Sequence, residues 1–423
     1  MQVLKVGFVG AGFNGTFHSR VFTENGGISG AIIGGVYALG GADEFVVRVN
    51  GLGQNCMVCN TVAELCLAVD VVSLSMPNYA RIEILEEILA AVNSGARLKG
   101  VVCEKPLARN MKEANRVVDL IADLAKHGVR FSYFENQIHM PTVRACRLQL
   151  SQVAEKMGPV KMVRSAEEHG GPHEGWFWDP TKQGGGVCLD MGCHSVGVGW
   201  YMLTPNGKPI DHLVPVSVNA NLELIKWGND PWRSKLLAQR GVDYTKTPAE
   251  DYALIIVKFR DPETGQIVVA QATDSWMYDA PGLRLLMEAY GGGYSYEVNT
   301  LLSPSSIFIS DAAAAACADA ELALEKSQAS HGHLIVLPDE PLVYGYTSEW
   351  VDALNAFRQE KDGMLGADFG RDVVKILMAA YLSAERGKTI NLVDPEVQDY
   401  LKTYVPLIQK GRGGEVLFPP MTF

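Results

Sequence analysis

Apolar residues change their spacing along this chain in a way that separates two architectures. Val3 to Val9 is a largely apolar run rich in β-branched residues, the pattern of a strand buried on both faces. Comparable runs follow at Ala31 to Leu39, Asp70 to Ser75 and Leu98 to Cys103. Between and after them the apolar positions switch to helical spacing, at Thr16 to Glu24, Ala63 to Ala68, Ile82 to Asn93 and Met111 to His127. Strands alternating with helices over short connections predict a doubly wound parallel sheet. Such a sheet binds ligands at the carboxyl edge of its strands.

Beyond Pro141 the pattern changes. A helix is predicted over Thr142 to Lys156, followed by strand-like runs at Val160 to Ala166, Val214 to Leu224, Ala253 to Phe259, Ile267 to Trp276, Leu283 to Ala289 and Ser305 to Ile309. Successive strands without intervening helices argue for an antiparallel sheet. One face of it needs cover from helices, the other domain or a second subunit. Lys226 to Thr247 shows neither period and reads as a long surface excursion, a lid or an oligomer arm. Asp311 to Ser327, rich in alanine, reads as a helix, as do Glu349 to Arg358 and Gly370 to Arg386, the last stopped by Gly387. A length of 423 residues exceeds what one core serves. Two domains are expected, residues 1–140 and 141–423, α/β in class.

Composition narrows the partners. With 47% hydrophobic and 20% charged residues the chain reads as an ordinary soluble globular protein. A net charge of −11 and the lack of a Lys/Arg cluster argue against nucleic acid or an anionic membrane. No apolar run reaches membrane-spanning length, and the start lacks the signal-peptide pattern. Most of the eight cysteines lie inside apolar runs, as reduced thiols do, so a cytoplasmic location is expected. Cys56 and Cys59 form one CxxC with no second pair or histidines at zinc spacing, which reads as two ordinary thiols.

Five stretches carry candidate chemistry. Gly10, Gly12 and Gly15 form GxGxxG directly after the first strand. The first glycine permits a tight turn, the second a close approach to a pyrophosphate, and the third close helix packing, with phosphate at a helix N-terminus. The next strand ends at Tyr37, Ala38 and Leu39 without the usual acid for a ribose hydroxyl; Asp43 and Glu44 stand just beyond, and the nearest basic residue is Arg48. This favours NAD, with NADP possible. Met76-Pro77-Asn78 and Glu104-Lys105-Pro106 occupy two strand ends, where a salt-bridged surface turn is the plain alternative for the charged pair.

Gly184 to His194 reads GGGVCLDMGCH. Its glycines would bring backbone close to a ligand, and Asp190 and His194, four apart, share one face if the stretch is helical. An Asp beside a His fixes the ring tautomer and raises its basicity, as a general base requires; a surface pair is the plain alternative. Just upstream, EEHGGPHEGWFWDP places His169 and His173 beside Trp176, Phe177 and Trp178. That composition suits a carbohydrate pocket or a hydrophobic latch. His169, His173 and His194 as metal ligands match no standard spacing, so no metal is expected.

Taken together, GFVGAGFNG at 7–15, MPN at 76–78, CEKPLA at 103–108, GGGVCLDMGCH at 184–194 and DVVKILMAAYLSAERGKTI at 372–390 resemble the Gfo/Idh/MocA family of nicotinamide-dependent sugar and cyclitol oxidoreductases. The resemblance implies an N-terminal Rossmann domain and a C-terminal α/β domain on an open, mainly antiparallel sheet, with the active site between them. It makes Lys105, Asp190 and His194 the catalytic residues. It makes Gly10, Gly12, Phe13, Asn14, Gly15, Ala38, Pro77, Asn78, Glu104 and Lys105 the cofactor-binding set. Asn136, His169, His173, Trp176 and Trp178 are the expected substrate contacts. The chain departs from the family at Arg81, where a His is frequent, at Asn136-Gln137, where Asn-Arg is common, and at Ala38, where an acid is frequent. A homo-oligomer, dimer or tetramer, is expected.

The reaction so implied is oxidation of a secondary hydroxyl on a sugar, glycoside or cyclitol, in which either Lys105 or His194 can be the proton acceptor. Two rivals stand beside it. One is a redox-neutral glycosidase that oxidises transiently and eliminates a substituent; the other is a sugar- and NAD-sensing regulator without catalysis.

Overall fold

The computed structural model describes residues 3–280, 282–302, 306–311, 332–335 and 339–418. The chain divides into two units, Met1–Pro141 with Pro341–Val374, and Thr142–Glu340 with Lys375–Phe423. The division at residues 140 and 141 therefore needs a correction, because a later segment returns to the first unit. Its aromatic side chains explain why: the Trp350 ring lies 4.9 Å from Phe22 and 5.0 Å from Phe134. Phe357 covers Gly100, where a Cβ would come within 2.4 Å of its ring.

In the first unit six strands form one parallel sheet: β1 (Leu4–Val9), β2 (Ala31–Tyr37), β3 (Met57–Val58), β4 (Val71–Leu74), β5 (Gly100–Glu104) and β6 (Arg130–Phe134). Their order is β3-β2-β1-β4-β5-β6, doubly wound, with its switch point between β1 and β4. The connecting helices are α1 (Phe13–Thr23), α2 (Ala42–Gly51), α3 (Val62–Ala68), α4 (Arg81–Asn93) and α5 (Met111–Lys126). Thr61 caps α3 by accepting from the Glu64 amide, and Asn110 caps α5 by accepting from the Glu113 amide. Each such cap is worth about 1 kcal/mol.

The second unit is built on a seven-stranded sheet from β7 (Met162–Glu168), β8 (Val214–Glu223), β9 (Tyr252–Arg260), β10 (Ile267–Ser275), β11 (Arg284–Tyr290), β12 (Ser295–Asn299) and β15 (Ile390–Asn391). The order is β12-β11-β7-β10-β9-β8-β15, antiparallel except for the β7–β10 pair. Alternate residues are buried, and the Gly192–Leu203 helix packs on β10 and β7. Gly199 permits that approach, since a Cβ there would already touch Ala270 at 3.4 Å. A separate pair joins β13 (Ser306–Ile309) and β14 (Gly332–Ile335).

Two sequence expectations change. The helix predicted over Thr142 to Lys156 is two, Pro141–Gln149 and Ser151–Met157, parted at Leu150. The excursion over Lys226 to Thr247 holds a helix, Trp232–Arg240, and buries Trp227, Leu236 and Tyr244. These anchors stand eight or nine residues apart on different local structures, so no period shows in sequence. The alanine-rich helix expected over Asp311 to Ser327 lies, beyond Asp311, outside the described residues. No helix of the described residues is long and apolar enough to cross a membrane.

Candidate active site

The glycine loop has the three properties its spacing demands. Gly10 sits at φ +108 with its amide on the Tyr37 carbonyl at 2.8 Å, and a Cβ there would lie 2.9 Å from the Ser75 carbonyl. A Cβ on Gly15 would lie 2.3 Å from the Gly10 oxygen, which is why α1 can start so close to β1. At Gly12 nothing stands within 4 Å, so the space a Cβ would fill is open. Phe13 and Asn14 begin α1, whose first amides have no side-chain cap, and Asn14 Oδ1 is buried without a hydrogen-bond partner among the described residues. An open cradle and the helix dipole fit a pyrophosphate. Gly12→Ala is expected to leave the melting temperature unchanged and weaken NAD binding roughly tenfold, the cost of one lost hydrogen bond, as titration calorimetry would show.

Ala38 follows the end of β2, half-buried, and Leu39 beyond it is exposed. Arg48 on α2 reaches back to α1, where its Nη2 donates to Thr16 Oγ1 at 3.0 Å. At the end of β4, Pro77 leads into a 3-10 turn that begins with Asn78, which is buried.

At the end of β5, Glu104 is buried rather than part of a surface turn. Its Oε1 lies 2.8 Å from His18 Nε2, and its Oε2 accepts from the Lys105 amide at 3.1 Å. Lys105 itself is half-buried. Arg81, the departure from the family pattern, opens α4 with a buried guanidinium whose Nη1 donates to the Pro106 carbonyl, bracing the turn after Lys105. Asn136 donates from Nδ2 to the Tyr344 carbonyl at 2.7 Å, so that N–H fastens the returning segment. Its substrate role is corrected to that extent.

In the second unit Gly184 to His194 is not one helix. Val187–Asp190 and Gly192–Leu203 are separate, with Met191 between them at φ −108, ψ −31. Asp190 thus ends one helix and His194 lies in the first turn of the next, so the expected i, i+4 face does not apply. Both side chains are buried. The Glu167 carboxylate lies 4.0 Å from His194 Nε2. The sequence sets Glu167 at the head of the aromatic loop Glu167 to Pro180, whereas it is the penultimate residue of β7.

The triple glycine also has a different cause. Gly184 takes φ +105 to end a short helix, a Cβ on Gly185 would fall 1.8 Å from the Tyr381 hydroxyl, and one on Gly186 would fall 2.1 Å from the Glu250 carbonyl. The glycines admit protein, not ligand, at these points. Glu250 Oε1 accepts from the Gly186 amide at 2.8 Å, the Cys188 amide at 3.1 Å and the Tyr381 hydroxyl at 2.6 Å. Beyond His194, Ser195 donates to Asp274 Oδ1 at 2.6 Å, while Ser165 donates to the Ser195 carbonyl at 2.7 Å. Two buried acids thus clamp the segment on either side of Asp190 and His194. The sequence signal for Asp274 was a lone acid inside an apolar strand run.

Burial pushes the Glu250 carboxyl up from 4.5 to about 7, although its three hydrogen bonds oppose the shift. Burial, with the Glu167 charge, holds Asp274 well above the ordinary range. Between 4.5 and about 7 folded Glu250 keeps a proton that the unfolded chain has released, so its contribution is full below 4.5 and is lost as pH rises through 7. Glu250→Gln, which cannot ionise, is expected to remove a fall of up to about 3 kcal/mol from the stability profile between pH 4.5 and 7.5. Urea unfolding across that window measures it.

The aromatic loop is mainly core. Trp178 is buried, donates its indole N–H to the Pro172 carbonyl at 3.0 Å, and packs against Trp227 at 4.5 Å and Trp276 at 4.8 Å. Gly171, at φ +112, leaves room for the Trp178 ring. Trp178 as a sugar platform is therefore corrected to a latch that binds the 226–244 excursion. His169 is buried, with Nδ1 accepting from the Gly171 amide at 2.9 Å. His173 and Trp176 are half-buried, Trp176 stacked on Phe177 at 3.9 Å.

Residues 4–133 match the family described as oxidoreductases with an NAD-binding Rossmann fold, and residues 152–291 match the GFO/IDH/MocA C-terminal domain. No protein of curated function matches the chain in sequence. Among solved structures, GenD2 from gentamicin A biosynthesis, in complex with NAD, is similar at TM-score 0.72 and 22% identity, over 93% of this chain and 97% of that one. The scyllo-inositol dehydrogenase of Lactobacillus casei with NAD(H) and scyllo-inositol bound is similar at TM-score 0.65 and 16% identity, over 93% and 100%. The myo-inositol 2-dehydrogenase of Lactobacillus plantarum is similar at TM-score 0.65 and 16% identity, over 92% and 99%. With its glycine loop, its doubly wound sheet and its mixed C-terminal sheet, the chain belongs to the GFO/IDH/MocA family of NAD-binding oxidoreductases.

Proposed function

We propose that the protein oxidises a secondary hydroxyl of a cyclitol, sugar or glycoside. The observation that carries this is the open position at Gly12 before the uncapped helix α1, in the same unit as the strand-end Lys105. Bound nicotinamide would supply the hydride acceptor. His194 takes the hydroxyl proton, and Lys105 donates a hydrogen bond to the same oxygen as negative charge develops there. Asp190 and Glu167 stabilise the imidazolium that results. The inositol dehydrogenases among the similar structures point to polyhydroxylated rings as the substrate class.

NAD is the proposed cofactor in preference to NADP. Asp43 and Glu44 stand exposed in the first turn of α2, where a 2′-phosphate would meet like charge, and Arg48 is engaged with Thr16. A homo-oligomer, dimer or tetramer, is proposed through the open face of the seven-stranded sheet, where Leu254, Ile256, Val269 and Leu286 are half-exposed apolar residues. The seven described cysteines are free thiols, consistent with a cytoplasmic location.

A panel of cyclitols, sugars and glycosides with NAD or NADP tests the reading by absorbance of the reduced nicotinamide. Accumulation with one polyol supports it. Bond cleavage in a glycoside without accumulation would favour the redox-neutral glycosidase, and tight NAD binding without any turnover would favour the regulator.

A further inference from the structure

A buried polar chain runs through the first unit from Trp350 to Glu104. Trp350 Nε1 donates to His18 Nδ1 at 2.9 Å, and His18 Nε2 meets Glu104 Oε1 at 2.8 Å. Trp350, His18 and Glu349 are fully buried, and Glu104 is 8% exposed. Aromatic rings enclose the imidazole: Phe134 at 5.8 Å, Tyr346 at 5.0 Å and Trp350 at 6.0 Å.

The donor inventory fixes the protons. An indole nitrogen can only donate, so His18 Nδ1 must be the unprotonated nitrogen and Nε2 must carry the hydrogen. His18 Nε2–H therefore donates to Glu104, whose other oxygen accepts from the Lys105 amide. Both Glu104 oxygens act as acceptors, the arrangement of a carboxylate. Although His18, Glu104 and Glu349 together have metal-ligand character, both ring nitrogens are already engaged within the protein.

We infer that His18 is a positioning residue, locked by Trp350 as its neutral Nε2–H tautomer, that keeps Glu104 ionised and aimed beside Lys105. The groups facing Glu104 are His18 on α1, Glu349 on the Tyr346–Arg358 helix, and Cys103 and Lys105 on its own strand end; Arg81 on α4 braces the adjoining Pro106. Through this chain the helix that would receive the pyrophosphate and the loop that carries Lys105 are held to the same returning helix. A hydrogen bond to the charged form of a buried acid favours that form, more strongly in low-dielectric surroundings. The kinetic consequence rests on the dehydrogenase reading; the tautomer and the ionisation do not.

The test is NMR on the full-length protein with nitrogen-labelled histidine and carboxyl-labelled glutamate, His18 and Glu104 signals being identified by their loss in His18→Gln and Glu104→Gln. In the wild type His18 is expected to show unprotonated Nδ1 and protonated Nε2. In Trp350→Phe, which removes the donor and keeps an aromatic ring, the His18 nitrogen signals are expected to move toward a mixture of the two tautomers. His18→Leu, which removes the donor to Glu104, is expected to shift the Glu104 carboxyl signal and, once a substrate is known, to lower kcat by about 10- to 100-fold. His18→Gln, whose amide can donate, restores part of both. A His18 protonated at Nδ1 in the wild type, or a Glu104 carboxyl signal unmoved in His18→Leu, overturns the inference. Failure of every polyol to react leaves the NMR results standing and counts only against the dehydrogenase reading.

Discussion

His194→Ala is expected to lower kcat by ~10²- to 10⁴-fold while NAD binding is retained, because a positioned general base contributes about that much to the rate. His194 is buried beside Glu167, so truncation also leaves a carboxylate facing an emptied site. His194→Gln, closer in volume, separates chemistry from packing: it should lose a comparable share of kcat with a melting temperature near that of the wild type. Steady-state rates at saturating NAD and polyol, beside a thermal melt, give both numbers. Full turnover in either variant would remove His194 from the acid–base role. Lys105→Ala should also lower kcat, but through loss of stabilisation of the developing alkoxide.

Gly186→Ala is expected to be nearly as damaging without touching a reacting group. Its Cβ would sit 2.1 Å from the Glu250 carbonyl and 2.9 Å from the Glu250 carboxyl carbon; the carbonyl cannot retreat without breaking its bond from the Val187 amide, nor the carboxylate without breaking those from Gly186 and Cys188. A cost of about 3 kcal/mol or more follows, or a fall in melting temperature of roughly 6–12 °C. Turnover should fall too, since the displaced segment carries Asp190. A variant that melts like the wild type would show that the clamp from Glu250 has no structural weight.

The parts legible in sequence were those whose cause is local. The run from Val3 to Val9 meets glycines at the spacing a tight turn requires, and each glycine takes the role its neighbours in the chain impose. The C-terminal strands were legible because alternation or an apolar run marks them one at a time. What stayed hidden depends on contacts far apart along the chain. Trp350 reaches His18 across 332 positions, so nothing near residue 350 announces that it joins the first unit. Glu250 and Tyr381 explain Gly185 and Gly186 better than a ligand does, yet they are 131 residues apart from each other. Met191 interrupts what the spacing of Asp190 and His194 made look like one helix. Trp178, the last of three consecutive aromatics with nothing in sequence to set it apart from Trp176 and Phe177, is buried because the 226–244 excursion folds over it. Glu250, which holds the Gly186 and Cys188 amides, had no such local signal.

The central claim is oxidation at a carbinol carbon with release of the reduced cofactor. Its most direct test is turnover of a cyclitol deuterated at its ring carbinol positions in the presence of NAD, followed by mass spectrometry of the nicotinamide product. Deuterium recovered in the released reduced nicotinamide, one per ketone formed, is the expected result. Product formed with the nicotinamide unlabelled and unreduced would contradict it.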